Sequence, residues 1–417
     1  MNKLILGKGM RFNKYYPFAL IYFFVNAVGL PFGMLYTILL TPLFYVWLLL
    51  KRKKLILLKY LIVTTPFIIN HLINGVDQFQ YWRSVVLYFT VYIFCYTFYI
   101  FIKTYGDLAG IFKKILVINF ILTLLAFAFL FTPYRHFFWT DWSMEFGGFQ
   151  IENWPRLIMF TYEASYYSTL WVPIFAYYFV KYILKQIETN AFVVMLMILL
   201  PLVASFSMGV IAGLILSISF LFIVNSSRVL SSKTMLFSFL AVSFSLVLAF
   251  VFLLIFYRDN PFFLRIIQIV AGADGSANGR TVEAFKLAYI IADLKSIWWG
   301  IGFGQLKIMG DSVIKTFYQY PEEYGQVSIP CTFAETLALF GVVGAALRLF
   351  VELFLFYTTR VLSNYYRTLL FIFIFIYQFT GSFTTNIAEY VIWILAFTNI
   401  FPQFDKQANK GTTIQLP

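Results

Sequence analysis

The sequence predicts an all-α polytopic membrane protein of about twelve transmembrane helices with one large external loop. Three observations carry this. The chain of 417 residues is 61% hydrophobic with mean hydropathy +0.82. Apolar runs of about twenty residues, long enough to cross a bilayer, recur along its length. Only 12% of residues are charged, about half the share of a soluble domain. The runs are continuous rather than alternating, which argues against a β-barrel. The chain reads as a single integral membrane domain, 1–417, with 257–330 as its large loop.

The spans fall near 16–31, 33–50, 55–73, 84–102, 115–132, 158–180, 190–205, 210–225, 235–256, 331–358, 368–383 and 385–402. Breaker residues separate those that abut: Pro31 and Gly33 divide the first pair, and Ser205, Ser207 and Gly209 the seventh from the eighth. Gly381 and Ser382 divide the last two. The first run follows Lys3, Lys8, Arg11 and Lys14 without a small-residue cleavage site after it, so no cleavable signal peptide is expected.

Charge orients the spans. One set of connections carries Lys51, Arg52, Lys53, Lys54, Lys103, Lys113, Lys114, Lys181, Lys185, Arg228, Lys233, Arg360, Arg367, Lys406 and Lys410 besides the four N-terminal basic residues. Its acids are Asp107, Glu188 and Asp405. The opposite set balances ten basic residues, among them Arg83, Arg135, Arg156, Arg258, Arg265 and Arg280, with eleven acids. The positive-inside rule places the first set, and both termini, in the cytoplasm. The net charge of +13 is thus an orientation signal. A nucleic-acid role would need a basic soluble domain, and the sequence offers none.

Cys95 and Cys331 lie in different spans and are not expected to pair. His71, His136 and the cysteines show no metal-ligand spacing, so neither a metal nor another cofactor is expected.

The three longer outer segments are 74–83, 133–157 and 257–330. In the last, a glycine-rich turn, 271–279, precedes Arg280. The run T-V-E-A-F-K-L-A-Y-I-I-A-D-L then sets Phe285, Ala288 and Ile291 at helical spacing, with Glu283, Lys286 and Asp293 on a wetter face. This predicts an amphipathic helix lying at the membrane surface. The following S-I-W-W-G-I-G-F-G reads as an interfacial anchor at Trp298–Gly304. It is not a nucleotide fingerprint, since no strand precedes it.

Four acids fall within spans: Glu163, Glu335, Glu352 and Glu389. Glu352 has a partner one turn away in Arg348. The other three have none nearby in sequence, and all lie in the outer halves of their spans, on the side of Arg83, Arg156 and Arg280. Intramembrane acids are costly and tend to face a cavity or a distant cation. Arginine at a helix end often only snorkels to lipid head groups. Convergence of these groups instead predicts an anionic ligand held beside a carboxylate at the outer face. Arginine's planar fork matches phosphate oxygens, and a nearby carboxylate is suited to take a hydroxyl proton.

With those residues in place, R-x-x-x-x-x-x-E-A-S from Arg156 to Ser165 resembles the arginine-to-glutamate segment of the bacterial O-antigen polymerase and ligase superfamily. Asn278-Gly-Arg280, a helix and W-W-G-I-G-F-G resemble its large periplasmic loop. C-T-F-A-E-T-L-A-L-F-G-V-V-G at 331–344 resembles the segment that re-enters the membrane. The resemblance runs from about residue 60 to 400. It implies a GT-C-like glycosyltransferase architecture in the bacterial inner membrane, acting on oligosaccharides carried on undecaprenyl diphosphate without metal or nucleotide sugar. The absence of a D-x-D pair fits. Carried onto this chain, it implies Glu163, Arg156, Arg280 and Glu335 as catalytic residues, and Arg83, Arg156, Arg280, Asn278, Tyr162 and Ser165 as substrate-binding ones. The expected partners are the lipid-linked oligosaccharide and membrane lipids, with a chain-length regulator as a further candidate. Ala164 departs from the pattern, standing where a proline is common. The Ile329–Phe333 stretch lacks the histidine found in ligases, which favours a polymerase. The alternatives are a ligase moving glycan to lipid A core, or a flippase. A flippase is expected to carry charges along a path into the cytoplasmic half and to lack a large outer loop.

Overall fold

A computed structural model describes residue 24 and residues 36–52, 56–105, 107–146, 149–225, 279–319, 325 and 327–406. Nearly all of the expected first span, the whole ninth, most of the glycine turn and Asn278 lie outside them.

Helices dominate the described residues: α1 (Tyr36–Arg52), α2 (Ile56–Ile73), α3 (Gln78–Tyr105), α4 (Leu108–Phe129), α5 (Ala164–Ile183), α6 (Ala191–Ser205), α7 (Met208–Val224), α8 (Val282–Asp293), α9 (Gly310–Tyr318), α10 (Thr332–Thr358), α11 (Tyr365–Tyr377) and α12 (Ile387–Phe397). Among them, 78–104, 108–129 and 332–358 are long and apolar enough to cross a membrane. Stretches of α1, α2, α6, α7, α11 and α12 are apolar but shorter. Large apolar side chains point outward on several, such as Ile62 at 63% exposed, Ile223 at 68% and Phe350 at 65%. A water-soluble protein rarely leaves so much apolar surface open; a helical membrane protein presents it to lipid.

Packing explains which helices sit inside. α5 is buried on nearly every side, as a helix apolar all round should be. It is tied down by Trp171 Nε1 donating to Ile198 O at 3.0 Å. α11 packs on α7, α12 and α5. α3 begins six residues before the expected span, because Asp77 caps it, its Oδ1 accepting from Gln80 N at 2.9 Å. α5 starts later than expected. Residues 158–163 are not helical, and Met159 takes a positive φ of 51°.

Two departures from the sequence reading matter for the site. The outer segment 133–157 is ordered: a 3₁₀ turn (Pro133–Phe137) leads into an antiparallel hairpin, β1 (Trp139–Phe146) with β2 (Phe149–Leu157), pairing Thr140 with Arg156. The chain is therefore not purely helical. Trp298–Gly304 is also more than a surface anchor. Trp298 is exposed, but Ile301 and Phe303 are buried. α10 breaks at Gly341 (φ 64°, ψ −167°), which frees backbone groups that the 297–302 segment then satisfies. Ile301 N donates to Ala338 O and Gly302 N to Leu339 O, both at 3.0 Å. Val342 N donates to Ile297 O at 2.9 Å and Val343 N to Trp298 O at 3.1 Å. His71 holds the same segment, donating from Nε2 to Trp299 O at 2.8 Å while Nδ1 accepts from the Tyr81 hydroxyl at 3.2 Å.

α8 is the helix expected at the surface, but Ala284, Leu287, Ala288 and Ile291 pack it into α10. α9 is joined to the chain entering α10 by Asp311, which accepts from Val327 N at 3.1 Å and pairs with Lys315 at 2.9 Å. The Lys315 bond first, and the Val327 bond second, hold the Asp311 carboxyl below its ordinary value.

Candidate functional site

Glu163 is the residue before the first turn of α5, with extended backbone (φ −151°) and a carboxylate that makes no capping bond. Thr161 fixes the approach by donating its hydroxyl to Ile158 O at 2.7 Å and to Glu163 O at 3.0 Å. The carboxylate is left to point away from the helix, where Arg280 meets it. Arg280 Nη2 lies 4.0 Å from Glu163 Oε1, and both side chains are about one-third exposed. Arg280 enters from a distant part of the sequence, just before α8, and Tyr318 anchors its neighbour by donating to Gly279 O at 3.0 Å.

These two ions share a small cavity with Tyr162, Ser165, Tyr166, Pro330, Tyr377, Ser382, Phe383 and Asn386. Its volume is about 20 Å³, room for roughly one water. Tyr162 stands at its mouth, 52% exposed, with its ring 4.9 Å from that of Tyr166. The Tyr166 hydroxyl is buried with no hydrogen-bond partner among the described residues. Asn386 donates to Ser382 Oγ at 2.9 Å and caps α12 through Ala388 N. A loose, part-exposed ion pair contributes little to stability. Its surroundings are instead those of a polar binding site: a cation and a carboxylate, several hydroxyls and a ring at the entrance.

Four of the residues singled out from sequence, Glu163, Arg280, Tyr162 and Ser165, are thus brought together. The others are placed elsewhere. Arg156 sits on β2 and its Nε donates to Ser205 O at 3.3 Å, capping the end of α6 rather than lining the cavity. Arg83 is exposed on the first turns of α3. Glu335 lies in the first turn of α10, where its Oε2 accepts from Thr384 N at 2.7 Å. It therefore stands behind the 382–386 segment whose other face lines the cavity. Asn278 is outside the described residues.

Glu389 has no partner nearby in sequence. It is instead fully buried and paired with Arg348 Nη2. Arg348 also donates from Nε to Glu352 Oε1 at 3.0 Å and to Gln378 Oε1 at 2.8 Å, and from Nη1 to Thr336 Oγ1 at 3.3 Å. Gln378 donates back to Glu352 Oε2, and Thr332 donates to Glu389 Oε2, each at 2.8 Å. In a straight helix Arg348 would stand roughly 18 Å along the axis from Thr336. The break at Gly341 is what lets it reach.

Neither a scan against protein-family models nor a search of curated proteins finds a match to this chain.

Proposed function

We propose that the chain is an O-antigen polymerase: an inner-membrane glycosyltransferase that joins oligosaccharide repeat units carried on undecaprenyl diphosphate, at the periplasmic face and without a metal. The observation that carries this reading is the meeting of Glu163 and Arg280 in one polar cavity with Tyr162 and Ser165. Those residues sit in the two motifs that resemble the superfamily.

In this reading the diphosphate lies against the Arg280 guanidinium, on the open side of the cavity, and the sugar ring lies over Tyr162. Glu163 accepts the proton of the acceptor hydroxyl as that oxygen attacks the anomeric carbon of the donor. The carbon–oxygen bond to the diphosphate breaks, and Arg280 stabilises the charge that grows on the leaving lipid diphosphate. Glu335 supports the 382–386 wall through Thr384 rather than touching the reacting atoms. Arg156 acts through the hairpin that delivers residues 158–163.

A flippase is the second reading, because the Arg348–Glu352–Glu389 network borders a large cavity between helices. Against it, that arginine's hydrogen bonds are met within the protein. The test is the lipopolysaccharide of a deletion strain. Core bearing a single repeat unit supports the polymerase. Bare core with lipid-linked polymer accumulating means a ligase, and bare core without polymer means a flippase. In vitro, Arg280→Ala should abolish polymerisation of purified lipid-linked units; normal polymer from it would remove Arg280 from the site.

A further inference from the structure

A second cavity, about 750 Å³, lies between α2, α3, α10 and α12. Each helix gives it one face at helical spacing, such as Tyr88, Tyr92, Cys95 and Tyr99 from α3. From Tyr88 to Tyr99 that face runs roughly 16 Å, about the hydrocarbon depth of one leaflet. Val63, Leu347 and Val351 line it yet are 57%, 39% and 43% exposed, so it opens sideways toward lipid.

Its two ends differ. At one, Tyr88 is hydrogen-bonded to Thr384, which also accepts from Tyr390 OH through its carbonyl at 2.6 Å and donates its N–H to Glu335. Phe303 and Phe340 pack beside it with rings 4.8 Å apart. This wall separates the cavity from the Glu163–Arg280 site. At the other end, where α2 begins and α10 and α12 finish, stand Lys59, Thr359 and Thr398. Lys59 is exposed and forms no ion pair among the described residues. Thr359 is held there by Arg367, which is itself buried and donates to Thr359 O at 2.7 Å and Ala396 O at 2.8 Å. The chain just before α2 reads Lys51-Arg52-Lys53-Lys54. The hollow is chain-shaped and mostly apolar, the Arg348 and Glu352 in its wall being paired with each other. Closed at one end and basic at the other, it suits an amphiphile whose anionic head stays at the basic end.

The geometry points to a binding site for an anionic phospholipid, with one acyl chain in this cavity and its phosphate at Lys59. The site is separate from that of the proposed donor lipid, whose head belongs at the opposite end.

The test is native mass spectrometry of the full chain released from micelles containing equal dioleoyl phosphatidylglycerol and dioleoyl phosphatidylcholine. One phosphatidylglycerol should be retained about fivefold over phosphatidylcholine, the preference a single lysine near the surface confers. Lys59→Gln should bring the ratio to about one, Lys59→Arg should keep it, and Leu347→Trp should lower retention of both lipids. Equal retention of the two lipids by the unaltered chain would overturn the proposal. So would a preference that survives Lys59→Gln, or displacement of phosphatidylglycerol by undecaprenyl diphosphate. None of these outcomes depends on polymerisation, so failure here and failure of the polymerase reading remain distinct.

Discussion

Glutamine in place of Glu163 keeps the side chain's shape but removes its negative charge and with it the ability to take a proton. If the carboxylate is the base, Glu163→Gln should insert and bind the lipid diphosphate normally but turn over roughly 10²–10⁴-fold more slowly. Near-normal turnover would leave Glu163 as a brace for Arg280. Arg280→Lys should recover only part of the activity, since lysine keeps the charge and loses the fork. Arg156→Ala should act more mildly, because its Nε is spent on the end of α6. Parity between the Arg156 and Arg280 variants would contradict this assignment. Arg348 serves stability. Arg348→Met would leave Glu352 and Glu389 buried without their cation, at a cost of about 3–5 kcal/mol. Heating in detergent followed by size-exclusion should show early loss of the monodisperse peak. Adding Glu352→Gln and Glu389→Gln should restore most of it, and wild-type heat resistance of Arg348→Met alone would discredit the network's role. The Arg348–Glu352 pair was legible because its members are one turn apart. Glu389 was not, because its partner stands on another helix and is reached only through a break in α10.

At the scale of elements, hydropathy located the helices well where an apolar run coincides with a helix, as in α2, α6 and α10. It failed where backbone chemistry rather than hydropathy sets the boundary: Asp77 starts α3 early, and the turn at Met159 delays α5. Strand β1 does alternate polar and apolar residues in D-W-S-M-E-F, but the run is short and lies in a segment read only as an outer connection, so its period-2 signal was passed over. The W-W-G-I-G-F-G segment was visible as a motif, but its purpose depends on a helix break some forty residues later. Gly300 and Gly341 make that junction possible. A Cβ on Gly341 would fall 2.3 Å from the Trp298 carbonyl carbon, and one on Gly300 2.4 Å from that of Leu339. Both residues also take positive φ, 64° and 73°. Gly341→Ala should therefore destabilise by about 1–3 kcal/mol from overpacking alone, with proteolysis appearing near 297–304. Gly325→Ala, with open space around it, is the control. Equal thermal stability of the two variants would mean that the junction is not tightly packed.

At the scale of the whole molecule, two junctions each bring together connections that the charge pattern assigns to one side. The segments ending in Glu163, beginning at Arg280 and passing through Pro330 and Ser382 meet at one cavity. At another junction, Asn364 donates to Asp405 Oδ1 at 2.8 Å and Lys406 N to Ser363 O at 2.9 Å, joining connections that belong to the basic set. Each group was assigned to one side of the membrane from lysine and arginine counts alone, and each assembles with members of its own side. That agreement predicts that α9 faces the periplasm and the Lys51–Lys54 connection the cytoplasm. Ser312 is exposed on α9, and Cys95 and Cys331 are at least partly buried, so both native cysteines are first replaced by serine. In intact cells with a permeabilised outer membrane, Ser312→Cys should react with an impermeant maleimide. A cysteine at Lys53 should react only after the inner membrane is opened. The reverse pattern would place the Glu163–Arg280 cavity on the cytoplasmic side. A glycan assembled outside could not reach it there, and the polymerase reading would fall with the topology.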